Sequence, residues 1–143
     1  DIFKNSLCIL TPTKNTSRVV LNKLNLFWRS LGARTVLITP SFHDKILSFV
    51  SHLPHITAFS LIGIVPPGYL RFASTGLKDT TRIAASDSEL WADIFLSNQK
   101  NVLKSIESLE GQLEKIKSSI KKRDKEALSR IFQLAKEKRD SLG

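Results

Sequence analysis

The sequence predicts an α/β remnant, one βαβ unit, followed by an all-α helical region. Two short apolar strands flanking a helical stripe predict the first part, and sustained three-and-four-residue apolar spacing predicts the second. A third observation concerns what must surround the strands. Two parallel strands do not make a stable sheet by themselves, so further strands of the same domain are expected before them. The chain starts at Asp1 and contains no Met, so it is expected to be an internal piece of a longer protein.

Ser6-Leu7-Cys8-Ile9-Leu10-Thr11 reads as a buried strand ended by Pro12. Asn15 and Thr16 are suitable helix caps. Val20, Leu21, Leu24, Phe27, Trp28 and Leu31 then recur at helical spacing, and Gly32 supplies a left-handed stop. Thr35 to Thr39 is a second buried strand closed by Pro40. Strands linked this way are expected to be parallel. Ser41 and Asp44 suggest a cap for the next helix, with Ile46, Leu47, Val50 and Leu53 as its stripe. Pro54 removes one backbone donor and crowds the Val50 carbonyl, so a kink is expected there. Ile56 to Val65 is apolar almost all round and ends at Pro66-Pro67-Gly68; residues 69–81 read as a loop around Gly76. Ser86 and Glu89 form a capping box. Val102, Ile106, Leu109, Leu113, Ile116 and Ile120 make a heptad seam, which wants a partner helix. Asp124 can start a last helix, with Leu128, Ile131, Leu134 and Ala135 facing inward.

The chain has 143 residues, 41% of them hydrophobic, and a net charge of +9. That composition supports a packed core and argues against disorder. A single cysteine excludes an internal disulfide framework and fits a reducing, cytoplasmic setting. No signal peptide is readable, and Ile56 to Val65 is too short to span a bilayer, so no membrane association is expected. The charge sits at the two ends: six basic residues against one acidic in residues 1–40, and twelve against seven in residues 97–143. Such ends are usually solvated faces, and no basic run is interleaved with exposed aromatics as nucleic-acid binding would want.

The nearly neutral centre holds all three histidines, His43, His52 and His55. On an ideal helix His52 and His55 lie about 60° apart and His43 about 180° from His52. No well-spaced carboxylate or thiolate completes a metal set, so no metal is expected. Either two histidines pack beside a kinked helix, or the kink turns both into a cleft where they reach a substrate oxygen. Lys78-Asp79-Thr80-Thr81-Arg82 precedes the next helix. An arginine there can pair with a carboxylate in two-pronged fashion or serve as a structural salt-bridge partner. No glycine-rich phosphate loop is present; the glycines are 32, 63, 68, 76, 111 and 143.

Leu10-Thr11-Pro12-Thr13, His43-Asp44, Ser51-His52-Leu53-Pro54-His55, Asp79-Thr80-Thr81-Arg82-Ile83-Ala84 and Trp91 with Asp93-Ile94 occur in this order. Together they resemble successive motifs of the prephenate dehydrogenase family, over essentially the whole chain. The resemblance implies that residues 1–40 are the C-terminal βαβ of a Rossmann-type dinucleotide-binding domain. Residues 41–143 would then be a helical substrate-binding and dimerisation domain. It implies NAD(P)-dependent oxidative decarboxylation of prephenate or arogenate in tyrosine biosynthesis, with NAD or NADP held mainly by upstream residues. The catalytic residues of the family are implied to lie upstream, so the isolated chain is expected to be inactive. Arg82 would clamp a substrate carboxylate, His55 and His52 would contact substrate polar groups beside Thr81, and Gly76 would lean on the partner's site. A homodimer and feedback by tyrosine are further implications. The alternative is a basic helical interaction module binding nucleic acid or a partner coiled coil; it leaves the Ser-His-Leu-Pro-His and Asp-Thr-Thr-Arg-Ile-Ala segments without a use.

Overall fold

The computed structural model describes residues 2–142, which fall into two compact units that meet between Val102 and Leu103 in sequence. In the first unit, strand β1 (Leu7–Leu10) leads through helix α1 (Arg18–Ser30) to strand β2 (Arg34–Leu37). The strands are parallel, in a register that sets Leu7 opposite Arg34 and Leu10 opposite Leu37. Gly32 makes the return possible. It sits at φ +85°, a conformation that costs a residue with a Cβ, and a Cβ there would lie 3.3 Å from the Lys4 Cα. Leu10 and Ala33 are buried at this unit's small core. The N-cap of α1 is Ser17, without a side-chain bond; Thr16 instead receives the Thr13 amide at 2.8 Å.

Helices α2 (Pro40–Leu47) and α3 (Leu53–Gly63) are joined by a π-helical turn, Ser48–His52. The cap of α2 is Thr39, whose hydroxyl accepts from the Phe42 amide at 3.2 Å, rather than Ser41. Pro40 stands in the first turn, where its missing donor costs nothing. The irregularity demanded by Pro54 is thus met one turn earlier, by widening the helix where proline withholds its bond. Because the run is not broken, Pro40–Gly63 forms 24 continuous helical residues, and its most apolar 18-residue window has a mean hydropathy of 1.4. By length and composition this helix could cross a bilayer, which corrects the shorter span inferred from Ile56 to Val65. It carries Asp44, Lys45 and three histidines, groups that are costly in hydrocarbon.

Residues 67–81 are helical rather than a loop: a 3₁₀ turn, Pro67–Phe72, then helix α4 (Thr75–Thr81). Gly76 lies in the first turn of α4, where its amide needs no intrahelical acceptor. A second 3₁₀ turn, Arg82–Ala85, follows and packs with α4 against α3. Helix α5 (Ser88–Ser97) is capped by Asp87, which accepts from the Leu90 amide at 2.8 Å. The expected cap, Ser86, instead donates its hydroxyl to the Ile83 carbonyl and closes the preceding turn. Helix α6 spans Gln99–Lys121, and helix α7 spans Lys125–Asp140. Asp124 caps α7 through the Ala127 amide at 2.8 Å, as expected. Within the second unit the seam is only partly covered: Ile106, Leu109 and Ile116 are half-buried, whereas Leu113 and Ile120 are exposed.

Candidate functional site

The π-helical turn, α3 and α5 meet around two histidines. Widening the helix at Ser48–His52 changes the angular offset between residues before and after it. Ser48 is fully buried there, its hydroxyl donating to the Lys45 carbonyl at 2.8 Å. His52 is also buried, at 7% exposure. Its ring meets Trp91 and Phe95 of α5 edge-on, each at 6.3 Å between centroids. His55 stacks on the other aromatic surface: its ring is 3.5 Å from that of Trp91 and inclined by 21°.

Hydrogen bonds fix how each imidazole is presented. His55 Nδ1 lies 2.9 Å from the Ser51 carbonyl, which only accepts, so Nδ1 carries a proton and Nε2 is left for other partners. His52 Nδ1 lies 3.3 Å from the side-chain amide nitrogen of Asn98. Burial pushes the His52 pKa below its ordinary value, and the positive charges available to His43 and His55 act in the same direction; the Asp44 carboxylate opposes them. His43 stands apart, with Nδ1 3.0 Å from its neighbour Asp44. Among the described residues, no group of three or more His, Cys, Asp or Glu side chains could hold a metal ion.

The structure therefore brings His52 and His55 together and leaves His43 outside. Thr81 is half-buried, and its hydroxyl is spent on the Leu77 carbonyl at 2.7 Å. Arg82 follows on the turn that packs against α3; it is exposed and forms no ion pair among the described residues. The structural salt bridge that the sequence left open for it is not observed. Gly76 is exposed, and a Cβ on it would meet nothing within 4 Å. Within one chain, then, no close approach requires glycine at that position. The residues that sequence reasoning missed are Phe95 and Asn98. Their signal was present: Trp91, Phe95 and Asn98 recur at i, i+4 and i+7, one face of a helix. At the strand ends, Pro12, Leu37, Ile38, Thr39 and Phe42 line an open groove of about 540 Å³.

Residues 39–134 match the family model described as the prephenate dehydrogenase dimerization domain. The chain belongs to the prephenate dehydrogenase family. The prephenate dehydrogenase of Bacillus subtilis is 35% identical over 147 residues, covering 99% of this chain and 40% of that protein. The crystal structure of prephenate dehydrogenase from A. aeolicus, in complex with hydroxyphenyl propionate and NAD+, superposes with a TM-score of 0.90 at 36% identity. That match covers 99% of this chain and 52% of the other. Arogenate dehydrogenase from Synechocystis superposes with a TM-score of 0.87 at 29% identity, covering 99% and 54%. The chain thus spans about half the length of these prephenate dehydrogenase family members or less. The βαβ-then-helices architecture agrees with these neighbours. The comparisons lend nothing to the basic interaction module.

Proposed function

We propose that this chain is the C-terminal part of a prephenate or arogenate dehydrogenase, and that it supplies substrate-carboxylate binding and the dimer interface. In this reading residues 1–40 complete the dinucleotide-binding domain and residues 41–143 form the helical domain. The observation that carries the site is Arg82: an exposed guanidinium without an ion-pair partner among the described residues, on the turn packed against the helix of His55. Prephenate carries two carboxylates, and a planar fork suits either. His55 offers Nε2 from a ring clamped between the Ser51 carbonyl and the Trp91 face, and His52 stands behind it. Thr81 and Gly76 belong to the same α4 segment, with Gly76 open toward a second subunit.

The cofactor fits this chain only at an edge. The apolar groove from Pro12 to Phe42, at the C-terminal ends of parallel strands, is where such sheets receive ligands. The sequence has no glycine-rich loop for a pyrophosphate, so NAD or NADP would be held mainly by other residues of the full-length enzyme. When bound, the nicotinamide accepts the hydride. This chain's residues bind and orient the substrate, and none of them is assigned as the catalytic base.

A homodimer accounts for the exposed Leu113 and Ile120 and for the Pro40–Gly63 helix, of whose apolar window only 17% is buried within the chain. Tyrosine, which resembles the reaction product, is the proposed feedback inhibitor, and the cytoplasm is the proposed location. The test is reduction of NAD or NADP by the full-length protein with prephenate and with arogenate. Turnover of about 1 per second or more with either is expected, and none with both overturns the reading.

A further inference from the structure

Asn98 sits between α5 and α6, and its side-chain amide has its orientation forced. The nitrogen donates to the Asp44 carbonyl at 2.7 Å, and a carbonyl can only accept. The oxygen receives the side-chain amide of Asn101 at 2.8 Å. The atom 3.3 Å from His52 Nδ1 is therefore a donor nitrogen, and Nδ1 is the acceptor. A neutral imidazole that accepts at Nδ1 carries its proton on Nε2. A second proton on Nδ1 would face an N–H, so the same contact disfavours the imidazolium.

We infer that Asn98 is a positioning residue that holds His52 as a neutral imidazole with its proton on Nε2, a fixed hydrogen-bond donor for the substrate. The inference rests on the proposed role of His52 in substrate binding. It gives the two histidines opposite characters. Both are anchored through Nδ1, but His52 presents Nε2–H, whereas neutral His55 presents a bare Nε2. A donor nitrogen on one ring and an acceptor nitrogen on the other would suit a ligand with both an acceptor oxygen and a hydroxyl. Asn98 reaches His52 across the π turn, because its bond to the Asp44 carbonyl ties it to the helix just before that turn.

A plain capping role is the competing explanation, since the Asn98 backbone carbonyl receives the amides of Asn101 and Val102. Asn98→Asp and Asn98→Ser separate the two, because both residues cap helices well. Asp replaces the donor with an acceptor, and Ser is too short to keep the contact. Full-length enzyme labelled with ¹⁵N-histidine reports which His52 nitrogen is protonated, with assignment against His52→Gln. The wild type should show the proton on Nε2, Asn98→Asp should move it to Nδ1, and Asn98→Ser should give a mixture. In steady state the substrate KM should rise about 3- to 10-fold in both variants, the worth of one hydrogen bond, with kcat and cofactor KM little changed. A wild-type proton on Nδ1 overturns the inference, as does an unchanged KM in both variants. If the wild type turns over neither prephenate nor arogenate, the functional reading fails and the spectra alone decide the role of Asn98.

Discussion

Replacing Arg82 with alanine tests the substrate clamp with little risk to the fold. Arg82 ends α4 and opens the turn Arg82–Ala85; its amide bonds to the Asp79 carbonyl, a contact that does not involve the side chain. Arginine and alanine both favour helices, and the guanidinium has no ion-pair partner among the described residues to lose. Stability should therefore change by no more than about 0.5 kcal/mol. Binding should change much more. A hydrogen-bonded contact to a charged group is worth about 1.5–3 kcal/mol, which is about 10- to 150-fold in KM. The exposure of Arg82 in the single chain argues against the larger values found for fully buried pairs.

The assay is initial-rate NAD(P)H formation by the full-length enzyme, varying prephenate or arogenate and cofactor separately. Arg82→Ala should raise the substrate KM and leave the cofactor KM unchanged. Arg82→Lys should recover part of the loss, because a point charge cannot reproduce the planar fork. If both variants bind substrate like the wild type while their melting temperatures fall, the guanidinium serves the fold and the clamp is refuted.

Other perturbations follow from the same geometry. Because the His52 pKa is lowered by folding, its neutral form should favour the native state fully above the unfolded value of 6.5, with the benefit lost as pH falls from there through the lowered pKa. Melting at about pH 5 and about pH 7.5 should show that slope, and His52→Gln should flatten it. Leu113→Glu should weaken self-association about 10- to 100-fold per copy, the worth of burying one leucine, as read by sedimentation over a concentration series. Gly32→Ala should cost about 1–2 kcal/mol in chemical denaturation, the cost of left-handed backbone with a Cβ. The isolated chain should show no dehydrogenase activity with either substrate, checked in the same NAD(P)H assay.

What was legible in the sequence was what depends on local pattern. The strands, α1 and Gly32 follow from apolar spacing and one backbone requirement. The histidine pair followed from Ser-His-Leu-Pro-His and its place beside a proline. The errors were at points where several local options compete. Thr39, Ser41, Asp87 and Ser86 are all good caps, and the winner is set by where the preceding element ends. Residues 69–81 have little periodicity, so helix α4 was not visible; it is held by packing against α3 and the following turn. The π turn was invisible because no residue preference announces it. Proline predicted only that some bond pattern must change.

Asn98 illustrates the remaining gap. Its helical spacing from Trp91 and Phe95 is readable, but its partners are not, since Asp44 and His52 lie 54 and 46 residues away. The apolar seam shows the opposite relation, being plain in sequence yet incompletely satisfied in the chain. Among the described residues, the buried apolar side chains are Leu10, Ala33, Ala58 and Val102, two of them alanines. Phe42, Phe49 and Val50 remain 44–66% exposed along the central helix. Burial on that scale is small for a chain of this length, because transfer free energy follows the apolar area removed from water. The amphipathic patterns therefore prescribe more contact than one copy makes. The same reasoning that places His52 and His55 against α5 leaves the apolar faces of this helical region largely uncovered within one copy.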